Sequence, residues 1–412
     1  MDRTRSFLAV VSALTICTFL ATAVPRDVGA ADAVPGITDT EIVLGGTHPF
    51  SGPASAYGIY DKGIQAYFAY VNDRGGVNGC KIVYKDLDDA YRPPQTVQLV
   101  KQLVEQDHVF AIFNARGTPS NIALRAYLND NRVPQLFIAT GATTWGMDAK
   151  KFPWTIGFQP DYQAEAVLYG KDALTHRTNT KLAVFYQNDD FGKDYVTGFT
   201  RGLGARANQI VKTASYEVSD PDVRSQIATL KGSGADTLLI AATPKFATQA
   251  LVAVAQQAWK PSIYFTNVSV SQTIMRAVAQ QGGPDTGEGV VTAIYVIDPT
   301  NPTYAASKGM ALYKTILTKY QPGGDQTNGF LMYAMAAAYT MVDTLKLAGR
   351  DITRDKVMDR ASHLNERDNP FLLPGIVVQT SPDDRFPIRQ EQLARFTSGT
   401  WQPFGSVIDA RK

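Results

Sequence analysis

Apolar strands that alternate with helices, in two consecutive series, are the feature that most limits how this chain can fold. The stretches EIVLG at residues 41–45 and KIVYK at 81–85 are short and apolar, and a segment of helical periodicity follows each. A first series of this kind ends near Ile138 and a second begins near Lys181. Strands that alternate with helices form parallel sheets covered by helices on both faces. The pattern predicts an α/β fold of two doubly wound parallel-sheet lobes.

The boundaries of the elements follow from these runs. Strands are predicted at residues 41–45, 81–85, 109–113, 135–138, 181–186, 210–216, 237–241 and 262–265. Helices are predicted at 56–71, 95–105, 121–128, 194–203, 223–230 and 246–258. Residues 304–361 are expected to be mostly helical, with a buried helix at 330–345 because apolar side chains surround it. The proline-containing segment after residue 361 predicts short strands and loops.

Length and composition exclude several classes of protein. A chain of 412 residues is too long for one core and indicates two or three domains. The 40 Lys and Arg nearly balance the 38 Asp and Glu, and no block of like charge occurs, so nothing indicates binding to nucleic acid. The two cysteines, Cys17 and Cys80, cannot form a disulfide framework or a zinc site, and Cys80 is expected to be a buried thiol.

The N-terminal segment predicts export. Two arginines precede a mostly apolar stretch at residues 7–24, and Val28-Gly29-Ala30 fits the small-x-small pattern of a cleavage site. We therefore expect residues 1–30 to be a signal peptide and the mature protein to be periplasmic. An uncleaved membrane anchor is one alternative. A lipoprotein linked at Cys17 is another, although the bulky Ile16 precedes that cysteine.

No catalytic motif stands out. The chain lacks the phosphate-binding glycine patterns and the G-x-S-x-G elbow. His48, His108, His176 and His363 are scattered and are expected at the surface or in loops. The pairs Asp88/Asp89 and Asp189/Asp190 follow strand ends, but carboxylates at such positions more often cap the next helix. We expect no enzyme activity, no metal and no cofactor.

Seven motifs in a fixed order relate the chain to a known family. It resembles the branched-chain amino-acid (Leu/Ile/Val) type of periplasmic substrate-binding protein over nearly all of residues 38–410. The motifs are PFSGP at 49–53, NDRGGVNG at 72–79, DDAYRPPQ at 88–95, VPQLFIATGAT at 133–143, YQNDDFGKDY at 186–195, ATPKFA at 242–247 and TNGFLMYA at 327–334.

The resemblance implies a fold, a mode of action and partners. It implies the type I periplasmic binding fold, in which three crossovers join two lobes and form a hinge. One lobe would comprise residues 38–158 and 298–367, and the other residues 159–297 and 368–412. The cleft would close on a small-molecule ligand by hinge motion. The loaded protein, expected to be a monomer, would meet the permease and ATPase of an ABC importer in the inner membrane.

The turn GTPSN at residues 117–121 is the first candidate anchor. It opens a helix, where free N–H groups and the Thr118 or Ser120 hydroxyl suit a carboxylate, although these hydroxyls also suit plain N-capping. The resemblance places the family's carboxylate-binding turn here. The preceding Arg116 is predicted either to pair with a ligand anion or to form a salt bridge on the surface.

The resemblance supplies the other site residues. It implies a second anchor in the loop after the fourth strand and aromatic walls around the ligand, and the second lobe would add residues on strand-end loops. The predicted ligand-binding residues are Tyr57, Arg116, Gly117, Thr118, Ala139, Thr140, Gly141, Thr143, Asn188, Phe191, Ala242, Thr243, Asn267 and Phe330. Core packing is the alternative role for Phe191 and Phe330.

Two departures from the family pattern shape the prediction of the ligand. The loop at residues 265–269 (FTNVS) lacks the acidic residue that amino-acid binders present to the ligand ammonium, and Tyr91 and Arg116 occupy the positions of the family disulfide. A desolvated ammonium without a counter-charge costs several kcal/mol, on the order of 5. The expected ligand is therefore a small apolar or aromatic carboxylate. The alternatives are an aliphatic amino acid or amide with Asp189 or Asp190 as counter-charge, or a ligand-sensing module.

Overall fold

The computed structural model of the protein describes residues 34–176 and 180–409, so the predicted signal peptide lies outside the described residues. The strands are β1 (Glu41–His48), β2 (Lys81–Asp88), β3 (Ala111–Phe113), β4 (Gln135–Ile138), β5 (Thr155–Gly157), β6 (Leu182–Gln187), β7 (Ile210–Tyr216), β8 (Thr237–Ala241), β9 (Ser262–Phe265), β10 (Val291–Ile294), β11 (Asn365–Glu366), β12 (Val378–Gln379), β13 (Gln390–Thr397), β14 (Thr400–Pro403) and β15 (Ile408–Asp409). The helices are α1 (Ile59–Asn72), α2 (Pro93–Glu105), α3 (Thr118–Asp130), α4 (Thr144–Met147), α5 (Tyr162–His176), α6 (Asp190–Leu203), α7 (Arg224–Gly232), α8 (Pro244–Gln256), α9 (Gln272–Gly282), α10 (Lys308–Tyr320), α11 (Gly329–Ala348) and α12 (Arg354–Ala361).

The first lobe is built on a parallel sheet with the strand order β2-β1-β3-β4-β5. Strands β1 and β2 pair over eight residues, from Glu41 with Lys81 to His48 with Asp88. All residues of β3 and β4 are buried, which explains why these strands are apolar apart from Gln135. One face packs on a cluster that includes Leu103 and Leu124. The other face packs on the larger cluster that contains α1 and α11.

The second lobe is built on a larger sheet with the order β14-β13-β10-β9-β8-β6-β7. Strands β6 to β10 run parallel, and β13 and β14 add to the edge in antiparallel orientation. The eight-residue β13 is longer than the short strands predicted for the C-terminal segment. Its alternation of buried Glu391 and Leu393 with partly exposed Gln390 and Gln392 is interrupted at Ala394, which weakens the strand signal. The α/β class with two parallel-sheet lobes is confirmed.

The chain passes between the two sheets three times, after β5, after β10 and before β13. The second passage leads into α10 and α11, and α11 packs along α1. The two helices approach each other so closely that a Cβ added to Gly63 of α1 would lie 2.6 Å from the Cβ of Ala334. Burial on nearly all sides explains the apolar composition of α11. The lobe boundaries given above stay a prediction.

Helices α6 and α3 begin four and three residues earlier than their apolar periodicity predicts, because the residues before their apolar segments favour the start of a helix. Helix α6 begins at Asp190 instead of residue 194, since Asp189 Oδ1 accepts a hydrogen bond from the Gly192 N–H at 3.2 Å. Capping by this carboxylate is confirmed. Helix α3 begins at Thr118 because Gly117, with a φ of 102°, turns the chain and Pro119 fits the first helical turn.

Predictions for two isolated side chains have opposite outcomes. Cys80 is a buried free thiol, as predicted. His48, expected at the surface or in a loop, is fully buried at the end of β1, so that prediction is wrong. The side chain tolerates burial because Asp86 Oδ2 on the neighbouring β2 lies 2.6 Å from its Nδ1. His108 and His363 are exposed, and the side chain of His176 lies outside the described part.

None of the helices in the described part of the chain is long and apolar enough to cross a membrane.

Candidate functional site

The carboxyl ends of parallel strands from both sheets face each other, and the loops that follow them meet. From the first lobe, Tyr57 is fully buried and Arg116 and Thr118 are each 2% exposed. From the second lobe, Phe191 and Thr243 are buried as well. Ligands of α/β proteins bind beyond the carboxyl ends of the strands. The junction between the lobes is therefore the candidate site.

Arg116 is the most unusual residue at this junction. Its Nη1 donates a hydrogen bond to the carbonyl oxygen of Ala139 at 2.6 Å, but its buried Nε has no partner. Within residues 34–176 and 180–409, no Asp or Glu forms an ion pair with it. The predicted alternative of a surface salt bridge is thus wrong. A buried guanidinium without an anion is costly, which makes this position suited to bind an anionic ligand.

Two tyrosines flank the guanidinium. The Arg116 Cζ lies 3.7 Å from the ring centroid of Tyr57 and 5.5 Å from that of Tyr60. Stacking on aromatic faces stabilises a cation that has left water. The Tyr57 hydroxyl is buried and has no hydrogen-bond partner. Burial raises its pKa, although Arg116 and Ser269 lie near enough to oppose this effect.

Two pairs of side-chain hydroxyl groups lie within hydrogen-bond distance in the turn after Arg116. Thr118 Oγ1 lies 2.5 Å from Thr140 Oγ1, and Ser120 Oγ lies 2.9 Å from Thr96 Oγ1. No side chain caps the start of α3, so the predicted alternative of plain N-capping by these hydroxyls is wrong. Gly117 is required because a Cβ there would lie 2.6 Å from the ring of Tyr91.

The loop after β4 divides into two parts. Ala139 and Thr140 lie next to Arg116 and Thr118, through the two hydrogen bonds given above. Gly141 and Thr143 instead face the first crossover between the lobes. A Cβ on Gly141 would lie 1.9 Å from the carbonyl oxygen of Pro160, so the close approach of the crossover requires glycine.

Thr143 ties the same loop to the crossover and to the second lobe. Its hydroxyl donates to Asp161, and its N–H donates to Asp194 Oδ2 at 2.9 Å. Burial raises the pKa of Asp194 to about 6. Thr143 is therefore not brought together with Arg116, although both were predicted to bind the ligand.

Aromatic side chains of the first lobe line the junction. Phe330 lies 5.4 Å from Tyr57 and 5.5 Å from Tyr60, measured between ring centroids, and Tyr60 lies 4.7 Å from Tyr333. Sequence reasoning missed Tyr60 and Tyr333. Helical spacing could have found them, because each lies three residues after a predicted site residue and so shares its helix face.

Phe191 belongs to a second aromatic group. Its ring lies 5.1 Å from Tyr162 and 5.5 Å from Tyr195, in edge-on arrangements. The side chain is part of the core of the second lobe, which was the alternative role considered for it. Phe330 in turn is part of the core cluster that contains α11, and it also lines the cavity described below.

Two predicted residues of the second lobe form hydrogen bonds with other residues of the protein. The carbonyl oxygen of Ala242 accepts a hydrogen bond from Ser269 Oγ at 2.7 Å. The Thr243 N–H donates to the Tyr216 hydroxyl at 2.9 Å. Asn188 is exposed, and its Nδ2 donates to Glu217 Oε1 at 2.6 Å, so it lies at the mouth of the cleft rather than at its centre.

Asn267 has an unpartnered atom at the junction. Its N–H donates to Glu165 Oε1 at 2.9 Å, and its Nδ2 lies 3.4 Å from Glu391 Oε1. Its Oδ1 is buried and has no partner.

Two buried carboxyl groups lie beneath this loop, and sequence reasoning missed both. Glu165 on α5 accepts hydrogen bonds from the hydroxyls of Tyr169 and Tyr195, at 2.5 and 2.6 Å, and burial raises its pKa to about 7. Burial raises the pKa of Glu391 on β13 well above its ordinary value. Glu165 and Glu391 lie far apart in the sequence and come together only when β13 joins the sheet, so no local sequence pattern pointed to them.

The predicted counter-charge Asp189 is also engaged. Besides capping α6, it accepts a hydrogen bond from Gln187 Nε2 at 2.6 Å through its Oδ2. Burial raises the pKa of Asp189 to about 6. Asp190 is exposed.

A small cavity and a larger groove lie at the junction. A buried cavity of about 30 Å³ lies between Tyr60, Phe330 and Tyr333 of the first lobe and Asn267 and Tyr295 of the second. A groove of about 990 Å³ opens to solvent. It lies between Tyr91 and Pro119 on one side and Asn188 and Glu217 on the other. In the part of the chain that the structure describes, no cluster of His, Cys, Asp and Glu could hold a metal ion.

Comparison with known proteins agrees with this architecture. The two parallel-sheet lobes form the type I periplasmic binding fold, and the matching family and relatives are substrate-binding proteins. Residues 41–400 match the sequence model of the family described as periplasmic binding protein. The chain belongs to this family.

Relatives and solved structures are distant in sequence. The Leu/Ile/Val-binding protein homolog 1 of Brucella suis is 22% identical over 321 residues, 78% of this chain and 82% of its own. A branched-chain amino-acid ABC transporter structure from Thermus thermophilus with bound valine has a TM-score of 0.79 at 16% identity, covering 90% of this chain and 96% of that one. A solute-binding protein from Rhodopseudomonas palustris in complex with 3,4-dihydroxybenzoic acid has a TM-score of 0.74 at 17% identity, covering 90% and 98%.

Proposed function

We propose that this protein is an extracytoplasmic solute-binding protein that captures a small apolar or aromatic carboxylate between its lobes and delivers it to an ABC importer. The observation that carries the proposal is the guanidinium of Arg116, buried at the junction of the lobes with no carboxylate of the described residues paired to it. An arginine stays charged at neutral pH, and because no described residue supplies an anion, we assign that role to the carboxylate of a bound ligand.

The rest of the ligand is apolar in this proposal. Tyr57, Tyr60 and Phe330 line the junction beside Arg116 and offer ring faces to an aromatic or branched apolar body. Burial of such a body contributes about 25 cal/mol per Å² of apolar surface removed from water. The carboxylate would thus fix the orientation of the ligand, and the rings would supply much of the affinity.

An ammonium group on the ligand is not supported by the surroundings. Glu165 already accepts hydrogen bonds from two tyrosines and the Asn267 N–H. Asp189 caps α6 and binds Gln187. Glu391 is the remaining candidate, because its Oε2 has no partner, and burial favours its neutral form. An amino-acid ligand, the alternative, would have to draw its counter-charge from this group.

Known ligands of the same fold share the carboxylate. The Thermus structure holds valine and the Rhodopseudomonas structure holds 3,4-dihydroxybenzoic acid, and each has a carboxyl group. These neighbours support the class of ligand, and Arg116 supports it independently.

Closure couples binding to delivery. The ligand would contact Arg116 of the first lobe and Asn267 of the second, and so would stabilise the closed arrangement. The buried cavity of about 30 Å³ is smaller than a benzoate, so the lobes must separate to admit the ligand and close on it at a wider angle. The proposed partners are the permease and ATPase of the importer, and the binding protein acts as a monomer.

The test is a thermal-shift panel on the mature protein after unfolding and refolding, which removes any carried ligand. The panel contains benzoates, phenylpropanoates, aliphatic amino acids, their keto acids and short amides. A ligand at 100 times its Kd stabilises the native state by about 2.7 kcal/mol. We expect shifts with aromatic or deaminated acids that are lost in Arg116→Gln and kept in the control Arg132→Gln, an arginine 65% exposed.

Shifts with leucine or valine alone would overturn the proposed ligand class. In that case Glu391→Gln should abolish amino-acid binding, which identifies the alternative function directly.

A further inference from the structure

A second group of unpartnered polar atoms lies at the junction, apart from Arg116. The hydroxyls of Tyr60 and Tyr295 form no hydrogen bond within the described part of the chain and belong to residues that line the cavity, and Asn267 Oδ1 is fully buried without a partner. The three residues are only 2%, 5% and 9% exposed. All three line the buried cavity.

Such groups are rarely left unpaired. A buried polar group without a partner costs free energy comparable to a lost hydrogen bond, so a folded protein normally pairs it with protein, water or ligand. Here the three groups come from both lobes, with Tyr60 on α1 and Tyr295 and Asn267 on the second lobe. A ligand group placed among them would therefore bridge the lobes.

The donor and acceptor capacities restrict that ligand group. A tyrosine hydroxyl donates or accepts, whereas Asn267 Oδ1 only accepts. A group that satisfies all three must donate to Asn267, which excludes an ether or a carboxylate because these only accept. A hydroxyl donates to Asn267 and pairs with a tyrosine in either direction. An ammonium could donate to all three, but Glu165 and Asp189, which could balance its charge, are engaged as described above.

We infer that this group is a second polar subsite of the ligand cleft and that it selects aromatic carboxylates with a ring hydroxyl. The inference rests on the proposed function, which places the carboxylate on Arg116. Tyr60 joins the two ends, because its ring lies near the Arg116 guanidinium and also lines the cavity beside Asn267. A ligand with a carboxylate at one end of an aromatic ring and a hydroxyl at the other would place the first group on Arg116 and the second in the cavity.

The surrounding rings suit the same ligand. Phe330 and Tyr333 lie 5.5 and 4.7 Å from the Tyr60 ring centroid, within the range of offset and edge-on aromatic contacts. The ring of a bound aromatic acid would pack against these side chains with the same kind of contact.

The experiment measures, by titration calorimetry, the Kd of matched acid pairs with and without a ring hydroxyl. The pairs are benzoate with each of the three monohydroxybenzoates, and 3-phenylpropanoate with its 4-hydroxy form. We expect one hydroxylated acid to bind at least about tenfold more tightly than its parent. The preference should fall to about twofold or less in Tyr295→Phe, while the Kd of the unhydroxylated acid changes little.

The control variant is Tyr264→Phe. Tyr264 is a buried tyrosine of the same lobe, and its hydroxyl donates to Asp172 away from the cleft at 2.7 Å. This variant should keep the tenfold preference. Arg116→Gln should weaken both members of a pair by the same factor, because it removes the contact they share.

Two results would overturn the inference and leave the proposed function standing. One is equal affinity for both members of every pair in the wild-type protein. The other is a hydroxyl preference that survives in Tyr295→Phe, Tyr60→Phe and Asn267→Ala. Absence of binding by every acid would overturn the proposed function and the inference together.

Discussion

Two buried side chains that can carry positive charge follow neighbouring strands of the first sheet, and they differ in their partners. His48 ends β1, Arg116 follows β3, and the Arg116 N–H donates to the carbonyl oxygen of Thr47 at 2.9 Å. His48 faces the Asp86 carboxylate at 2.6 Å, whereas Arg116 faces tyrosine rings and one backbone carbonyl. The two positions are equally buried. In this comparison the burial of His48 is structural because the chain supplies its anion, whereas the burial of Arg116 between the lobes, where no described carboxylate pairs with it, supports a role in ligand binding.

Replacement of His48 should have the largest effect. His48→Ala leaves the buried Asp86 without its partner, and loss of one member of a buried pair costs about 3–5 kcal/mol. The free energy of unfolding, measured with denaturant, should fall by this amount. A loss of less than 1 kcal/mol would show that the pair is not structural.

Replacement of Arg116 should act on binding instead of stability. In Arg116→Gln we expect acid binding to weaken by about 2–5 kcal/mol, as for other buried charge contacts, while the ligand-free protein keeps or gains stability. Chemical denaturation without ligand and calorimetry with benzoates separate the two effects. If the ligand-free Arg116→Gln variant lost as much stability as His48→Ala, Arg116 would be a structural residue like His48 and the proposed difference between them would be wrong.

Glu366 provides a third case, a buried carboxyl to which no cation of the described residues is paired. It accepts hydrogen bonds from Thr340 and Asn369 at 2.8 Å, and burial raises its pKa to about 7. Unlike an arginine, a carboxyl can take up a proton and lose its charge. Because the folded pKa exceeds the unfolded value, its contribution to stability is present below pH 4.5 and is lost as the pH rises through 7.

The expected loss at Glu366 is up to about 3 kcal/mol between these pH values. Glu366→Gln should remove this dependence, so that the variant gains stability relative to wild type between pH 5 and pH 8. Unfolding curves at pH 5, 6, 7 and 8 would measure the difference in the free energy of unfolding between the variant and the wild type. A difference that does not change with pH would mean that the carboxyl ionises normally in the folded protein.

An exposed ion pair across the cleft should have the smallest effect. Arg276 on α9 lies 2.6 Å from Asp325, which precedes α11, and both side chains are nearly half exposed. Such pairs contribute less than about 1 kcal/mol and are screened by salt. Arg276→Gln should weaken ligand binding about two- to fivefold at low salt and less at high salt.

The control for this pair is Arg224→Gln, whose partner Asp222 lies in the same lobe. It should leave ligand affinity unchanged. A loss above tenfold in Arg276→Gln would show that an exposed contact between lobes outweighs the buried ones.

Prediction from sequence succeeded for elements and was incomplete for the site. The strands at residues 135–138, 210–216, 237–241 and 262–265 have the predicted bounds. The loops of Arg116, Thr118, Ala139 and Thr140 do meet, because parallel strands bring their carboxyl ends to one edge. Thr143 and Asn188 lie on the right loops but bind Asp161 and Glu217, since the direction of a loop side chain depends on neighbours from other segments.

The sequence by itself determined the alternation of strands and helices, the two lobes and the loops that border the cleft, because these depend on periodicity and turns within short segments. Only the tertiary structure decided which polar groups have partners. His48 and Asp86 are 38 residues apart, Asn267 and Glu391 are 124 apart, and the cavity joins Tyr60 to Tyr295. Pairing depends on distances of a few ångströms between such remote segments, and local patterns do not encode those distances.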